Sequence, residues 1–377
     1  MAGIYIHIPF CKSKCIYCNF YSVASSVHVE DFYNSLLKEI QIQKIYLDGE
    51  KITTIYFGGG TPSLLPDSFI AKIIEKVRKT FNVSNDAEIT LEANTDDVTN
   101  NKLKEWLSAT VNRISIGVQS FHDTDLIYLK RIHNGSHAEA SIKRSQDMGF
   151  ENISIDLIYG IPVQTEKTWK ENIDKSIAFQ VPHISAYCLT AEEKTVLFNK
   201  ISSDKIQPID EEQAVTHFRL LMNEMEAENY LHYEISNFCL DGFFSKHNTA
   251  YWKGVNYLGL GPSAHSYNGI SRQWNTANLI EYLRNISENN IPAEKEILTA
   301  KQKLNEYIMT SLRTMWGCDL SSIEKVLGAG EKNRILTLSK AMLDKGYIEI
   351  KNDVIFLTGE GKLFADSIAA EFFIVNK

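Results

Sequence analysis

The first half of the chain alternates short strand-like runs with longer amphipathic stretches, and this beat restricts the fold more than any other feature. Runs rich in β-branched and aromatic residues stand at 4–8, 53–57, 88–91, 113–118, 153–158 and 183–189. Between them lie stretches such as VEDFYNSLLKEIQIQKIYL and SFIAKIIEKVRKTF, whose apolar residues recur at helical spacing. Strand and helix in repeated alternation predict a parallel sheet with right-handed crossovers. Six such units make a partial (β/α)6 barrel, and an open doubly wound sheet is the alternative that pattern alone permits. Polar residues at the strand ends favour the barrel. GGGTPS follows the second run, Glu92 ends the third, Gln119 the fourth, and Asp156 lies within the fifth. Barrel enzymes build their sites at the C-terminal ends of strands, so one polar group per successive strand is what a single pocket requires.

Cys11, Cys15 and Cys18 follow the first run directly, in HIPFCKSKCIYCNF. The C-x3-C-x2-C spacing puts three thiolates on one short loop. A structural zinc or an ordinary iron–sulfur cluster is usually held by four protein ligands, so three leave one metal position open for a small molecule. The bland alternative is three unrelated buried thiols. Spacing and the aromatic before the last cysteine resemble the radical S-adenosylmethionine (SAM) superfamily. That resemblance implies a [4Fe–4S] cluster on Cys11, Cys15 and Cys18, with the methionyl amine and carboxylate of SAM on the free iron. Cys188, Cys239 and Cys318 are scattered and suggest no disulfide framework, which points to a reducing compartment.

Other residues suit a polar pocket. Gly58, Gly59 and Gly60, before Thr61, leave backbone open where a ligand approaches. Glu92 offers an acceptor for a ribose hydroxyl or an amine, Gln119 both donates and accepts, and Asp156 accepts. Arg131 is either a fork for a carboxylate or a solvated helix charge. Tyr5 and Tyr17 flank the cysteine loop and either pack against adenine or belong to the core.

Beyond Thr190 the beat changes. An irregular stretch and the helical DEEQAVTHFRLLMNEMEAENY precede the aromatic, glycine-rich HNTAYWKGVNYLGLGPSAHSYNG. The polar residues 284–296 read as a linker, and the helix, strand, Asn-Asp turn, strand, helix order that follows reads as a winged-helix-like module. The expected division is a core over 1–190, an extension over 191–283 and a C-terminal domain over 297–377. With 39 basic against 47 acidic residues the formal charge is −8, which opposes general nucleic-acid binding. No run is long enough for a membrane span, and MAGIYIHIPF lacks the basic n-region of a signal peptide, so the expected place is the cytoplasm.

YIHIPFC, GGGTPS, RISIGVQSF, RIH, DLIYGIP, HNTAYW and YLGLGPSAHS together resemble the coproporphyrinogen III oxidase-like radical SAM family along essentially the whole chain. Its dehydrogenase branch carries a further cysteine where this chain has Phe20, and a long extension before the first strand. HNTAYW, residues 247–252, instead resembles the H-N-x-x-Y-W motif of a haem-chaperone branch. The resemblance implies SAM contacts at Tyr5, Tyr17, Asn19, Gly59, Gly60, Thr61, Glu92, Gln119, Arg131 and Asp156. It implies haem as a ligand, His247 as its axial residue with Tyr251 and Trp252 beside it, and His265 as a second candidate. Against this stands the reading of HNTAYW as an aromatic corner under the barrel, with His247 hydrogen-bonded inside. The implied activity is haem delivery to acceptor haemoproteins, among them membrane respiratory proteins, with a reductant such as flavodoxin. SAM-dependent oxidative decarboxylation of coproporphyrinogen III is the alternative.

Overall fold

The computed structural model describes residues 1–374. Strands β1 (Ala2–Ile8), β2 (Ile52–Gly59), β3 (Val83–Asn94), β4 (Arg113–Gln119), β5 (Ile153–Tyr159) and β6 (His183–Cys188) all appear where the sequence predicts them. They pair parallel in chain order. Helices Val29–Ile42, Asp67–Thr80, Asn100–Ser108, Gly135–Asp147 and Glu166–Ala178 make the five crossovers. Successive side chains on each strand point to opposite faces. Ile4, Ile6 and Ile8 of β1, and Ile114, Ile116 and Val118 of β4, pack outward in one core with helix residues such as Phe32, Leu36, Ile73 and Trp106. The opposite face carries Tyr5, Tyr56, Glu92, Ser115 and Asp156, with Tyr5 opposite Tyr56 and Glu92 opposite Ser115, and with steps of two residues from Tyr56 to Glu92 and from Ser115 to Asp156. The apolar core therefore lies between sheet and helices, and the concave side is left polar, as a ligand site requires.

The later strands are β7 (Leu231–Glu234), β8 (Asn237–Cys239), β9 (Asn256–Leu260), β10 (His265–Tyr267), β11 (Ser271–Asn275) and β12 (Ala293–Ile297). They extend both edges of the same sheet, in the order β12-β11-β10-β9-β1-β2-β3-β4-β5-β6-β8-β7, which does not close into a barrel. β9 lies parallel to β1, with Ile4 opposite Leu258. The polar stretch 284–296 is not a linker. It completes helix Leu279–Ser287 and supplies β12, an exposed edge strand on β11. Polar residues there are what an unpaired sheet edge favours.

Glu39 ties this added edge to the first crossover helix. Its buried carboxylate accepts from the Gly261 amide at 2.8 Å, Asn275 Nδ2 at 2.7 Å and the Tyr282 hydroxyl at 2.7 Å. Burial holds its pKa above the ordinary carboxylate value. Glu39→Ala strands three buried donors, each costing about 1 kcal/mol or more. Denaturant unfolding should show a loss on the order of 3 kcal/mol; an unmoved midpoint would mean that the donors find water instead.

The C-terminal module has its own core, including Leu304, Ile308, Ile323, Ile335, Ile348, Ile355 and Phe372. β13 (Cys318–Asp319), β14 (Ile348–Lys351) and β15 (Val354–Leu357) form its small antiparallel sheet. The Asn-Asp turn is as expected: Asn352 and Asp353 both take positive φ, 50° and 64°, the geometry of a tight two-residue hairpin. Arg219 grips Glu360 through two hydrogen bonds, 3.0 and 2.7 Å, and Lys362 Nζ meets His232 Nδ1 at 2.9 Å. These contacts tie the module to helix Glu211–Ala227 and to β7.

Candidate functional site

The polar strand ends open into one cavity of about 470 Å³, roofed by the loop after β1. That loop is pinned at its base, where Cys11 N–H donates to Val23 O at 3.1 Å and Val23 N–H to Pro9 O at 2.7 Å. The intervening residues are thereby forced into an arch. Cys11, Cys15 and Cys18 are all unpaired, half-buried and line the cavity. Thr61 Oγ1 lies 3.5 Å from Cys11 Sγ, and Arg131 Nη1 lies 3.5 Å from Cys15 Sγ. Burial pushes the Cys18 thiol above its ordinary pKa.

The glycine turn after β2 fits beneath this arch. Gly60 N–H donates to Ile8 O at 2.7 Å. A Cβ at Gly60 would stand 2.7 Å from Phe10 O, 2.8 Å from Ile8 O and 3.1 Å from Cys11 Sγ. Gly59 has φ +105°, and a Cβ there would meet the His7 ring at 2.6 Å.

β3, β4 and β5 supply the floor. Glu92 accepts from the Tyr56 hydroxyl at 2.7 Å. Burial, reinforced by the charge of nearby Asp156, pushes its carboxyl up to about 7, although hydrogen bonds from Tyr56 and the Gly59 amide pull the other way. Asp156 is likewise raised by burial and accepts from Ser115 Oγ at 3.2 Å. Gln119 ends β4 with φ +65° and folds back over Gly117, where a Cβ would stand 2.9 Å from its Nε2. Arg131 is not a solvated helix charge. It lies beyond helix Asp123–Tyr128 and donates at 3.0 Å to both Asn94 Oδ1 and Gly117 O. Its Nε is buried without a partner among the described residues.

Tyr17, Asn19, Gly59, Gly60, Thr61, Glu92, Gln119, Arg131 and Asp156 all line this cavity with the three cysteines. Tyr5 and His247 do not. Tyr5 lies beneath the floor, its ring 6.2 Å from that of Tyr56 and its hydroxyl 3.2 Å from His7 Nδ1. It is on the right face of the strand, but its position is too early along β1 to reach the opening.

His247 stands on helix Lys246–Trp252, which plugs the underside of the sheet. Only 1% exposed, it is hydrogen-bonded at both ring nitrogens, to Thr54 Oγ1 and to the Tyr251 hydroxyl, each at 2.8 Å. Its ring stacks 5.0 Å from Tyr56, and Glu88 accepts its backbone N–H at 3.1 Å. Both ring nitrogens are thus engaged inside the protein, as in an aromatic corner, and a haem iron on His247 would have to displace Thr54 or Tyr251. His265, on β10, stacks on Trp274 outside the cavity.

Asn94, Ser115, Tyr187 and Cys188 also line the cavity, although no sequence motif marks them. Asn94 is within reach of pattern reasoning, since it lies two residues beyond Glu92 and therefore on the same face of the strand.

Residues 5–175 match the radical SAM superfamily model and residues 298–364 the HemN C-terminal domain. The heme chaperone HemW of Bacillus subtilis (strain 168) is 33% identical over 375 residues, 99% of each chain. The heme chaperone HemW of Lactococcus lactis subsp. lactis (strain IL1403) is 34% identical over 325 residues, 85% of this chain and 83% of the relative. Among solved structures, the coproporphyrinogen III oxidase (HemN) of Escherichia coli, described as a radical SAM enzyme, superposes with TM-score 0.86. The match covers 99% of this chain and 90% of that one, at 22% identity, a likeness of fold.

Proposed function

The chain belongs to the HemW family of radical SAM proteins, and from that premise we propose that it binds haem and delivers it to acceptor haemoproteins, with a [4Fe–4S] cluster and SAM held in the cavity under the cysteine loop. The observation that carries the cofactor assignment is the convergence of three half-buried thiols and a polar floor on one cavity.

The residues suit a cluster better than a single ion. Three cysteines on one loop, with no fourth thiol carried by it, suit a four-iron cluster that takes one thiolate on each of three irons and leaves the fourth open. The Gly59–Gly60 turn leaves room beside Cys11 that a side chain would fill. When bound, the cluster supplies the electron for reductive cleavage of SAM. The chain's own residues do the rest: Arg131 offsets the thiolate charge beside Cys15, the glycine turn exposes backbone to the methionyl group, and Glu92, Gln119 and Asp156 receive the amine and ribose hydroxyls.

Glu92→Ala, Gln119→Ala and Asp156→Ala should keep cluster and fold while weakening SAM binding on the order of 5- to 30-fold, the value of one or two lost polar contacts. The pH dependence follows from Glu92. Between the ordinary value of 4.5 and about 7 the folded protein holds a proton that the unfolded chain has released. Glu92 therefore costs stability as pH rises through that window, and the cost is constant above it. Its ionised form is the better acceptor for an amine. SAM affinity should therefore climb, by at most about tenfold per pH unit, up to about pH 7 and level off, and Glu92→Gln should flatten the curve. A rise that persists in Glu92→Gln would assign the titration to another group.

The haem reading is supported by full-length similarity to proteins named heme chaperones. Titration of haemin into the reconstituted protein should saturate at one equivalent with a shifted Soret band; a featureless spectrum at all ratios would end the reading. Acceptors among membrane respiratory proteins, a reductant such as flavodoxin and a cytoplasmic location belong to the same proposal. No helix among the described residues is long and apolar enough to cross a membrane.

A further inference from the structure

Beneath the cavity floor stands a buried positive charge without a partner. Arg113, the first residue of β4, is 1% exposed. Among the described residues its guanidinium makes no ion pair and no hydrogen bond, and its Nε is buried alone. Alternation puts it on the inner face with Ser115 and Gln119, which line the cavity, whereas Arg113 does not. The register fixes its depth. Arg113 stands opposite Thr90, and two residues further on Ser115 stands opposite Glu92, so Arg113 leaves the sheet about 7 Å below the floor. Groups near it that could take up its donors are occupied. Glu88 accepts the Lys246 and His247 N–H groups at 3.2 and 3.1 Å. His183 is engaged at both ring nitrogens, by Ser154 Oγ at 2.7 Å and the Tyr233 hydroxyl at 2.8 Å. Thr90 Oγ1, across from Arg113, is likewise buried without a partner, and two such groups side by side are where bound water forms a bridge. A buried charge also needs a counter-charge. The carboxylates left to balance this one are those of Glu92 and Asp156 in the floor.

Resting on the SAM-binding reading above, we propose that Arg113 is a positioning residue for SAM. From beneath the floor it supplies the fixed counter-charge that lets Glu92 and Asp156 meet the amine and ribose hydroxyls as carboxylates. Burial is the main influence on both groups and raises them, and the Arg113 charge is among those that oppose it. The other groups that face the pair do not replace it. Tyr56 on β2 donates a hydrogen bond to Glu92, and Arg131 acts on Asp156. Tyr5 on β1, Tyr187 on β6 and Tyr251 on the plugging helix are phenols that burial keeps neutral. Arg113 reaches neither the cavity nor the three cysteines, so its influence on a ligand passes through the floor alone.

The test is SAM titration into cluster-reconstituted protein across the pH range, with circular dichroism and iron–sulfur absorbance as checks of fold and cluster. In Arg113→Met, neutral and of similar reach, the levelling of affinity at about pH 7 should move up by about one pH unit. Affinity should then fall on the order of fivefold at neutral pH and return close to the parent value at alkaline pH. Arg113→Lys keeps the charge and should keep the parent profile. An unmoved levelling point, a loss equal at every pH, or a lysine variant that behaves like the methionine one would overturn the proposal and leave Arg113 a packing residue. Should Arg113→Met fail to fold, Arg113→Met/Glu92→Gln decides: removing one charge of each sign should restore the fold, and a double variant as unfolded as the single one would overturn the proposal. A parent protein that binds no SAM would remove the underlying reading as well.

Discussion

Serine in place of Cys11, Cys15 or Cys18 should leave anaerobically reconstituted protein with little or no cluster iron, while Cys188→Ser, Cys239→Ser and Cys318→Ser stay near normal. A hard hydroxyl is a poor substitute for a soft thiolate on iron. The informative comparison is Cys188. Its thiol lines the same cavity, carried by β6 rather than by the loop, with Sγ 3.6 Å from Leu189 O. Burial pushes that thiol up to about 11, which keeps it protonated and a poor ligand. Cys239 and Cys318 are buried outside the cavity. Iron analysis and the visible spectrum of the six variants settle the ligand set. Damage from Cys188→Ser equal to that from Cys15→Ser would supply a fourth protein ligand and close the position assigned to SAM.

Gly60→Val should be nearly as severe without touching a ligand. Already at Cβ the new side chain collides with two backbone oxygens, Phe10 O at 2.7 Å and Ile8 O at 2.8 Å. Neither can move away as a flexible side chain would, because Ile8 belongs to β1 and Phe10 is bridged to Val23. The cheapest relief displaces the turn from β1 and carries Cys11 with it. Expected results are loss of most cluster iron and of measurable SAM binding, with far-ultraviolet circular dichroism preserved. Gly49→Ala is the control: a Cβ there meets nothing within 4 Å, so only the strain of its φ of +75° is added, and cluster iron should stay near normal. If Gly60→Val reconstituted fully, the turn would not be part of the cluster's cradle.

Residues whose role is set by local pattern are legible in the sequence itself. The parallel strands announce themselves by β-branched alternation, and that alternation also sorts Glu92, Gln119 and Asp156 onto the polar face at the correct end. Placement that depends on distant partners is not legible in this way. NYLGL reads as a glycine-rich aromatic stretch, and only its pairing with β1, about 250 residues away in the chain, makes it β9. AEKEI has too little apolar alternation to look like a strand because residues 294–297 are exposed, so neither of its faces is buried. His247 shows the limit most clearly. Imidazole is the right chemistry for haem iron, but whether a ring nitrogen is free depends on Thr54 and Tyr251, which surround it on the plugged underside of the sheet. Tyr5 misses the cavity by depth alone. Arg131, undecided from sequence, is placed by Asn94 and Gly117 O, contacts that no spacing rule foretells.

The most direct measurement loads the reconstituted protein with one equivalent of haem, adds an apo-haemoprotein acceptor, and follows haem transfer while a parallel sample receives coproporphyrinogen III, SAM and a strong reductant. Transfer of haem to the acceptor, with no protoporphyrinogen IX formed in the parallel sample, is the expected result. Haem retained by the carrier, together with steady conversion of coproporphyrinogen III coupled to 5′-deoxyadenosine release, would contradict the chaperone assignment and make the chain a dehydrogenase.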